Sequence, residues 1–433
     1  MQIVVAGGGA GGLELVRQLG MRLGRKACDV ILLEPQQTHV WKPLLHEVAA
    51  GALDANLDET GYREHAHRWH YRFFQGRLES IDRERRVAIV APILDEDGSE
   101  LIGRQYIPYD YLVIAIGSVT NAFGTPGAQR LCIFLDDRAS ADRFRLKLLN
   151  QCLRVSRQLS ADPAGDAHVR VAIVGGGATG VELAAELYNS AAALKHYGLE
   201  TFDESRLAIT LLEAGPRILP ALPEKLAAAA REELEALGVR VLCGARVAAV
   251  TDDAVLTVGG ERIVAELRVW AAGVKAPDFL AGIGGLETNA ANQLVVGPTL
   301  QATRDPRVFA VGDCAAYTPA GAAHPVPPRA QAAHQMAASV ARSIRRMVAG
   351  GQAVPFNYRD YGSLVSLSRY STVGSLMGGL IGGKLAIEGR LARLVYVSLY
   401  QMHLVAIHGW LRGIVMIAIG RVNQVIRPRL KLH

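Results

Sequence analysis

Two kinds of hydrophobic pattern alternate along the chain. Short apolar runs end in glycine or in one acidic residue, and longer stretches with helical spacing follow them. Gln2 to Ala6 opens directly onto Gly7, and Val30-Ile31-Leu32-Leu33 ends on Glu34. The pattern then recurs. Residues 3–19 and 171–187 align without a gap at an offset of 168, each a strand-like run, a glycine cluster and a helix. Glu14 and Glu182 stand two residues past the last glycine of their copies, and Leu207 to Leu212 ends on Glu213. Tyr111 to Ile116 stops at Gly117, Leu267 to Ala272 stops at Gly273, and Val308-Phe309-Ala310-Val311 runs into Gly312-Asp313. Buried strands alternating with helices predict an α/β fold with parallel sheets. Val155 to His168, with its Ser, Gln, Asp, Pro and Gly, reads as a loop, and Pro327-Pro328 as the start of a helix.

Both glycine clusters have the spacing GxGxxG: Gly7, Gly9, Gly12 and Gly175, Gly177, Gly180. One glycine makes the turn, one lets the backbone approach a pyrophosphate, and one lets helix pack on strand. A single such cluster also suits a plain strand–helix connection; here each copy has the strand before it and the helix after it. Glu34 and Glu213 end the next strands, where a carboxylate accepts from ribose hydroxyls. A solvated strand-end glutamate is the alternative for each. At Glu213 the charge would also repel a 2′-phosphate and favour NADH.

Two dinucleotide sites in one chain imply a donor–acceptor pair, most often FAD with a nicotinamide. Thr303 to Asp313 resembles the second FAD fingerprint of flavoproteins with two dinucleotide-binding domains, in which the aspartate holds the ribityl chain. The expected FAD contacts are Gly7, Gly9, Gly12, Glu34, Gly117 and Asp313; for NADH they are Gly175, Gly177, Gly180, Glu213 and Gly273. Hydrogen bonds of this kind imply non-covalent FAD. A fold opening at Met1 and closing at Asp313 must carry the other domain as an insertion. The expected fold is α/β, two Rossmann-type, glutathione-reductase-like domains. FAD falls to 1–126 and 278–350, NADH to 127–277, and 351–433 forms a third region.

Composition narrows the class. Half of the 433 residues are apolar and 20% are charged, which excludes a disordered chain. The five cysteines form no CxxC pair and fit a reducing compartment, with Cys28 and Cys243 as small core residues. Thr38 to Gly51, where related scaffolds place a redox pair, contains none. No metal cluster is expected: Arg63 to Arg72, with His65, His67 and His70, reads as an exposed helix or strand. The opening strand leads to the expectation of no signal peptide and of cytosolic synthesis.

Charge is concentrated at one end. Lys384 to His433 holds eight Lys/Arg against Glu388 alone, leaving 39 basic and 40 acidic side chains elsewhere. That body has no stripe for nucleic acid, while an apolar, cationic tail suits an anionic lipid surface. Leu394 to Leu411 lacks Asp, Glu, Lys and Arg for 18 residues, at the edge of a membrane-spanning length, but polar residues interrupt it and Gly409 and Arg412 break it. Beyond, Leu411, Ile414, Val415, Ala418, Val422, Val425 and Ile426 share one helical side, opposite His408, Arg412, Asn423 and Arg427; Arg421 departs from the pattern. This describes a helix lying in the interface. A helix docked on the core or on a second copy is the other reading.

At full length the chain resembles the type II NADH:quinone oxidoreductases, single-subunit respiratory enzymes that pump no protons. The likeness rests on both glycine motifs, Pro43-Leu44-Leu45 with Val48-Ala49-Ala50-Gly51, Val269 to Val274, Val311 to Ala315, and Ala330-Gln331-Ala332-Ala333-His334-Gln335, which fits the family's AQxAxQ pattern. The resemblance implies hydride transfer from NADH to FAD and reduction of a membrane quinone. It assigns Gln331 and Gln335 to the quinone and Glu182 to coupling or proton supply, with no such role for Glu14. It also implies a homodimer on the cytoplasmic side of the membrane. Read without it, the two glutamines suit an exposed helix face. A sulfide:quinone reductase, a soluble NADH-dependent ferredoxin or acceptor reductase, and a non-enzymatic NADH-sensing flavoprotein remain as rival readings.

Overall fold

The first sheet draws strands from both ends of the sequence. In a computed structural model, which describes all residues except 55–58, 195–198, 200, 368–370, 379–382 and 427–433, its order is Gln301–Ala302, Asp305–Ala310, Tyr111–Ile114, Gln2–Ala6, Asp29–Glu34 and Arg72–Gln75. All neighbours are parallel except the short Gln301–Ala302 edge. The second sheet, Ile133–Phe134, Leu267–Trp270, Val169–Val174, Leu207–Glu213 and Arg240–Cys243, is wholly parallel and comes from the intervening chain. One nucleotide-binding fold is thus inserted in the other. Ile3, Val4, Val5, Ala172 and Ile173 are fully buried because helices cover one face of each sheet and a three-stranded antiparallel sheet covers the other, Leu78–Asp82, Val87–Val90 and Gln105–Pro108 on the first and Val247–Val250, Ala254–Thr257 and Arg262–Val264 on the second. Where the chain crosses between the units, Val119–Thr120 pairs antiparallel with Val274–Lys275.

Three local readings change in the structure. The Arg138–Ala161 helix runs through the first half of the segment read as a loop, because Val155, Ser156 and Leu159 bury one side of it. The loop proper begins at Asp162. His65 lies buried on a helix, Tyr62–Trp69, and is not exposed. It accepts from the Tyr71 hydroxyl at 2.8 Å and donates to the Ile407 carbonyl at 2.6 Å. The Leu45–Ala50 helix belongs by sequence to 1–126, yet Leu45, Val48, Ala49 and Ala50 fill the core of the inserted unit. Cys28 is buried in the first core and Cys243 packs against the second, as small apolar residues would.

The third region contains strands as well as helices. An antiparallel sheet, Gly362–Leu367, Ser371–Gly378 and Gly383–Glu388, precedes helices Gly389–His408 and Trp410–Ile426. Gly409, at φ +80°, makes the break, and at Gly413 a Cβ would sit 2.7 Å from Val405 Cγ2. The helices therefore fold back closely on each other. The first is docked: Ile407 enters the first core, and His408, read as part of the polar face, is buried 3.1 Å from the Thr60 hydroxyl. The second is bare. Leu411, Ile414, Val415, Ile419 and Val422 are exposed, as are Trp410 and Arg412. The side chains of Arg421, Asn423, Val425 and Ile426, and all of Arg427, lie outside the described residues. Among the described residues no helix is long and apolar enough to cross a membrane.

The third glycine of each cluster fixes how helix meets strand. A Cβ at Gly12 would lie 1.9 Å from the Gly7 carbonyl oxygen, and one at Gly180 2.0 Å from that of Gly175. Neither oxygen can retreat without moving a buried strand. Gly180→Ala is expected to cost about 1–3 kcal/mol and to lower the thermal unfolding midpoint by at least about 1 °C. Differential scanning calorimetry checks this, and an unchanged midpoint contradicts it.

Candidate functional site

The two glycine loops present the same cradle twice. Gly7 (φ +108°) and Gly175 (φ +117°) turn the chain in a left-handed conformation, tight against the Ala115 and Ala271 backbone. Gly9 and Gly177 face open space, where an added Cβ would meet nothing within 4 Å. The helices that follow, Ala10–Ala27 and Ala178–Leu194, have no acidic residue in their first turns, and Gly9 can offer no side-chain cap. Free N–H groups at a helix start, beside an opening left by a missing side chain, suit an anionic pyrophosphate.

The strand-end carboxylates are locked against these loops. Glu34 accepts from the N–H of Gly8 at 2.7 Å and of Gln36 at 3.0 Å; Glu213 accepts from Gly176 at 2.8 Å and Gly215 at 2.6 Å. Burial pushes the Glu34 carboxyl up, and its two backbone donors pull it back. At the other end of the first site, Asp313 accepts from the Ser118 hydroxyl at 2.7 Å, while its carbonyl accepts from Gln293 at 2.8 Å. Gly117 and Gly273 are both left-handed turns: Gly117 faces open space, whereas Gly273 lies beneath the exposed Phe123 ring.

Glu182 stands where all three regions meet. It accepts from the Ser366 N–H of the third region at 3.0 Å and lies 3.7 Å from His46 Nδ1 on the Leu45–Ala50 helix. Burial drives His46 down to about 4, against the pull of the Pro43 carbonyl, so the ring is neutral at pH 7. Gln331 and Gln335 share one face of the Ala330–Val348 helix, as their spacing predicts. Their amides are engaged by the backbone of the 359–362 segment and, at Gln331, also by the Asp360 carboxylate. Gln331 donates to Gly362 O at 2.9 Å and Asp360 at 3.2 Å and accepts from Tyr361 N at 3.0 Å. Gln335 accepts from and donates to the backbone of Arg359, at 2.9 and 2.8 Å. The pair therefore clips the 359–362 segment to the helix.

Several residues with no local signature complete the first site. The Tyr62 hydroxyl donates to the Gly8 carbonyl at 2.7 Å, in the space a Cβ at Gly8 would occupy. Lys42 donates to the Ser118 carbonyl at 2.8 Å, beside the hydroxyl that holds Asp313. Glu14, expected to have no role, lies 2.5 Å from His334 Nδ1 and accepts from Gln18 at 2.8 Å. Apart from the Glu14–Gln18 pair, these contacts span tens to hundreds of residues, beyond the reach of motif or periodicity.

Residues 1–337 match the pyridine nucleotide-disulphide oxidoreductase family. The whole chain is 45% identical, over 442 aligned positions and 99% of the relative, to a protein of Haemophilus influenzae named type II NADH:quinone oxidoreductase. A Staphylococcus aureus protein of the same name is 28% identical over 89% of this chain and 92% of its own. Among solved structures, NDH2 from Plasmodium falciparum in complex with NADH superposes with a TM-score of 0.80 over 99% of both chains, at 20% identity.

The locked position of Glu213 yields a test. Glu213→Gln keeps the shape but removes the charge, so the ratio of kcat/KM for NADH over NADPH is expected to fall about tenfold, ~1.4 kcal/mol, mainly through KM. Steady-state kinetics with both nucleotides measures it, and an unchanged ratio removes Glu213 from the site.

Proposed function

This chain belongs to the type II NADH:quinone oxidoreductases, and on that premise we propose that it passes a hydride from NADH to non-covalent FAD and two electrons on to a membrane quinone, without pumping protons. The observation that carries the reading is the doubled cradle: two open glycine loops, each with its own locked carboxylate, in a full-length member of the family. In this reading residues 1–126 and 278–350 hold FAD and 127–277 hold NADH. Gly7, Gly9, Gly12, Glu34, Gly117 and Asp313 contact the flavin nucleotide; Gly175, Gly177, Gly180, Glu213 and Gly273 contact the nicotinamide one. Bound FAD supplies the two-electron relay, and the protein places both substrates and limits access to it.

Glu182 couples the halves, joined as it is to the third region through Ser366 and to the Leu45–Ala50 helix through His46. Gln331 and Gln335 shape the quinone site by holding the 359–362 segment, and a quinone carbonyl competes for the same amide groups. Gln331→Leu keeps approximate volume and removes both hydrogen-bonding functions. Quinone kcat/KM is expected to fall roughly 5- to 150-fold, about 1–3 kcal/mol, while reduction of the flavin by NADH changes no more than a few-fold. Rapid-mixing measurements of the two half-reactions decide; equal losses in both, or none, contradict the assignment.

Residues 351–433 bind the cytoplasmic face of the membrane and form the contact of a homodimer. The bare Trp410–Ile426 helix supports the lipid reading, since its apolar residues are uncovered and its end carries the cationic cluster. Because Ile407 and His408 are part of the body's packing, truncation belongs after Gly409. A chain ending at Gly409 is expected to leave anionic vesicles and to retain NADH-driven flavin reduction. Binding of the intact protein should weaken with added salt. Vesicle flotation checks both; undiminished binding of the truncated chain places the anchor elsewhere.

A further inference from the structure

A two-stranded ribbon joins the first glycine turn to the third region. Thr38–His39 pairs antiparallel with Thr60–Gly61, and the Tyr62–Trp69 helix follows directly. This unit meets the Gly389–His408 helix at three points. His39 Nε2 is 3.0 Å from His403 Nε2, the Thr60 hydroxyl is 3.1 Å from His408 Nε2, and His65 donates to the Ile407 carbonyl at 2.6 Å. Trp41, just past the ribbon, stacks on His403 with ring centroids 5.2 Å apart and an interplanar angle of 14°. The same unit reaches Gly8. The Tyr62 hydroxyl donates to the Gly8 carbonyl at 2.7 Å, and the His39 ring also donates to the Gly8 backbone. Tyr62, His39 and His403 are all buried.

These contacts fix the direction of one peptide. The Gly8 N–H is held by Glu34 at 2.7 Å and the Gly8 carbonyl by Tyr62. In a trans peptide the carbonyl and the following N–H point opposite ways. The Gly9 N–H therefore points away from the buried Tyr62 ring, and Gly9 itself borders open space. Tyr62 is suited to the task. Its ring stacks on Phe73 at 5.4 Å and 21°. Burial, with the Glu34 charge adding, pushes its hydroxyl well above the usual range, so it remains a donor at pH 7. The second cradle solves the same problem with backbone. There the Gly176 carbonyl accepts from the Leu219 N–H at 2.7 Å, while Glu213 holds the Gly176 N–H at 2.8 Å. The first turn is thus held by side chains that the third region touches, and the second by its own loop.

We propose that Tyr62 and His39 are positioning residues for FAD, aiming the Gly9 N–H at its pyrophosphate, and that the Gly389–His408 helix, docked on the ribbon through His403, holds them there. The inference rests on the FAD reading of the first cradle. A ring that donates to Gly8 accepts at its other nitrogen, so His403 Nε2 donates to His39 Nε2 and fixes its orientation. Burial keeps both rings neutral for this exchange, driving His39 down to about 4 and His403 well below its usual value. Retention of the cofactor and docking of this helix then strengthen each other, because both favour one arrangement of the ribbon. The nicotinamide cradle, held by backbone, stands outside this coupling.

The test uses the full-length, FAD-loaded protein. On dilution FAD leaves, and its fluorescence recovers as it does. Tyr62→Phe keeps the ring on Phe73 and removes the donor, so release is expected to be about tenfold faster than in wild type. His403→Phe keeps a ring against Trp41 and removes the contact with His39, for release about threefold faster. The Kd for NAD⁺, measured by calorimetry, should stay within twofold in both variants. The ³¹P resonances of the bound FAD pyrophosphate should shift in Tyr62→Phe, which ties the effect to the phosphates. Release within twofold of wild type in Tyr62→Phe, or ³¹P resonances that do not move there, overturns the proposal. So does wild-type release in His403→Phe, which removes the third region from the coupling. NAD⁺ binding weakened as much as FAD binding also overturns it, as a general loosening of the chain. Wild-type protein whose acid-released flavin is not FAD would instead refute the FAD reading itself.

Discussion

The architecture depends on two places where a side chain cannot exist. At Gly12 and Gly180 the helix backbone presses on the carbonyl of the glycine five residues earlier, closer than any Cβ allows. That contact sets the angle at which each helix leaves its strand. The same angle aims the helix N–H groups at the open space in front of Gly9 and Gly177. The strand-end carboxylates share this geometry, because Glu34 and Glu213 reach back to the N–H groups of the same turns. The duplication thus copies a geometry as well as a motif.

The copies have diverged at the glutamate two residues past the last glycine. Glu14 and Glu182 occupy equivalent helix positions, and each faces a histidine from elsewhere in the chain. Glu14 meets His334, which is in contact with His403 of the third region; Glu182 meets His46 and the Ser366 N–H. Through these glutamates the residues beyond 351 touch both nucleotide-binding units. The third region is therefore more than an anchor appended to a finished body: its first helix contributes buried histidines, and only its last helix is left bare.

What the sequence displayed was what local physics encodes. Strand, glycine turn and helix lie within some twenty residues of each other, and apolar runs closed by Gly or Glu are legible at that range. The Gln331 and Gln335 spacing correctly placed both on one helix face, but their backbone partners at 359–362 were invisible, since nothing local marks a segment that returns to pack there. The His39–His403 contact joins residues 364 apart. His65 and His408 looked polar and exposed because histidine in a charged stretch usually is; here each finds a buried partner. The first half of the Val155 to His168 stretch misled through composition: Arg157, Gln158 and Ser160 lie on the outer face of a helix whose Val155 and Leu159 are buried, while the loop reading holds from Asp162. The sheet over 362–388 carries weak alternation and many glycines, which is why its strands did not stand out.

The central claim is that the two cradles work in series, NADH at one and flavin with quinone at the other. Anaerobic titration of the purified protein tests it most directly. Stepwise NADH should bleach the visible flavin absorbance to an endpoint near one equivalent per chain, and a soluble quinone should then restore it with the same stoichiometry. Absorbance that NADH does not bleach, or bleached flavin that quinone fails to reoxidise, would contradict the account.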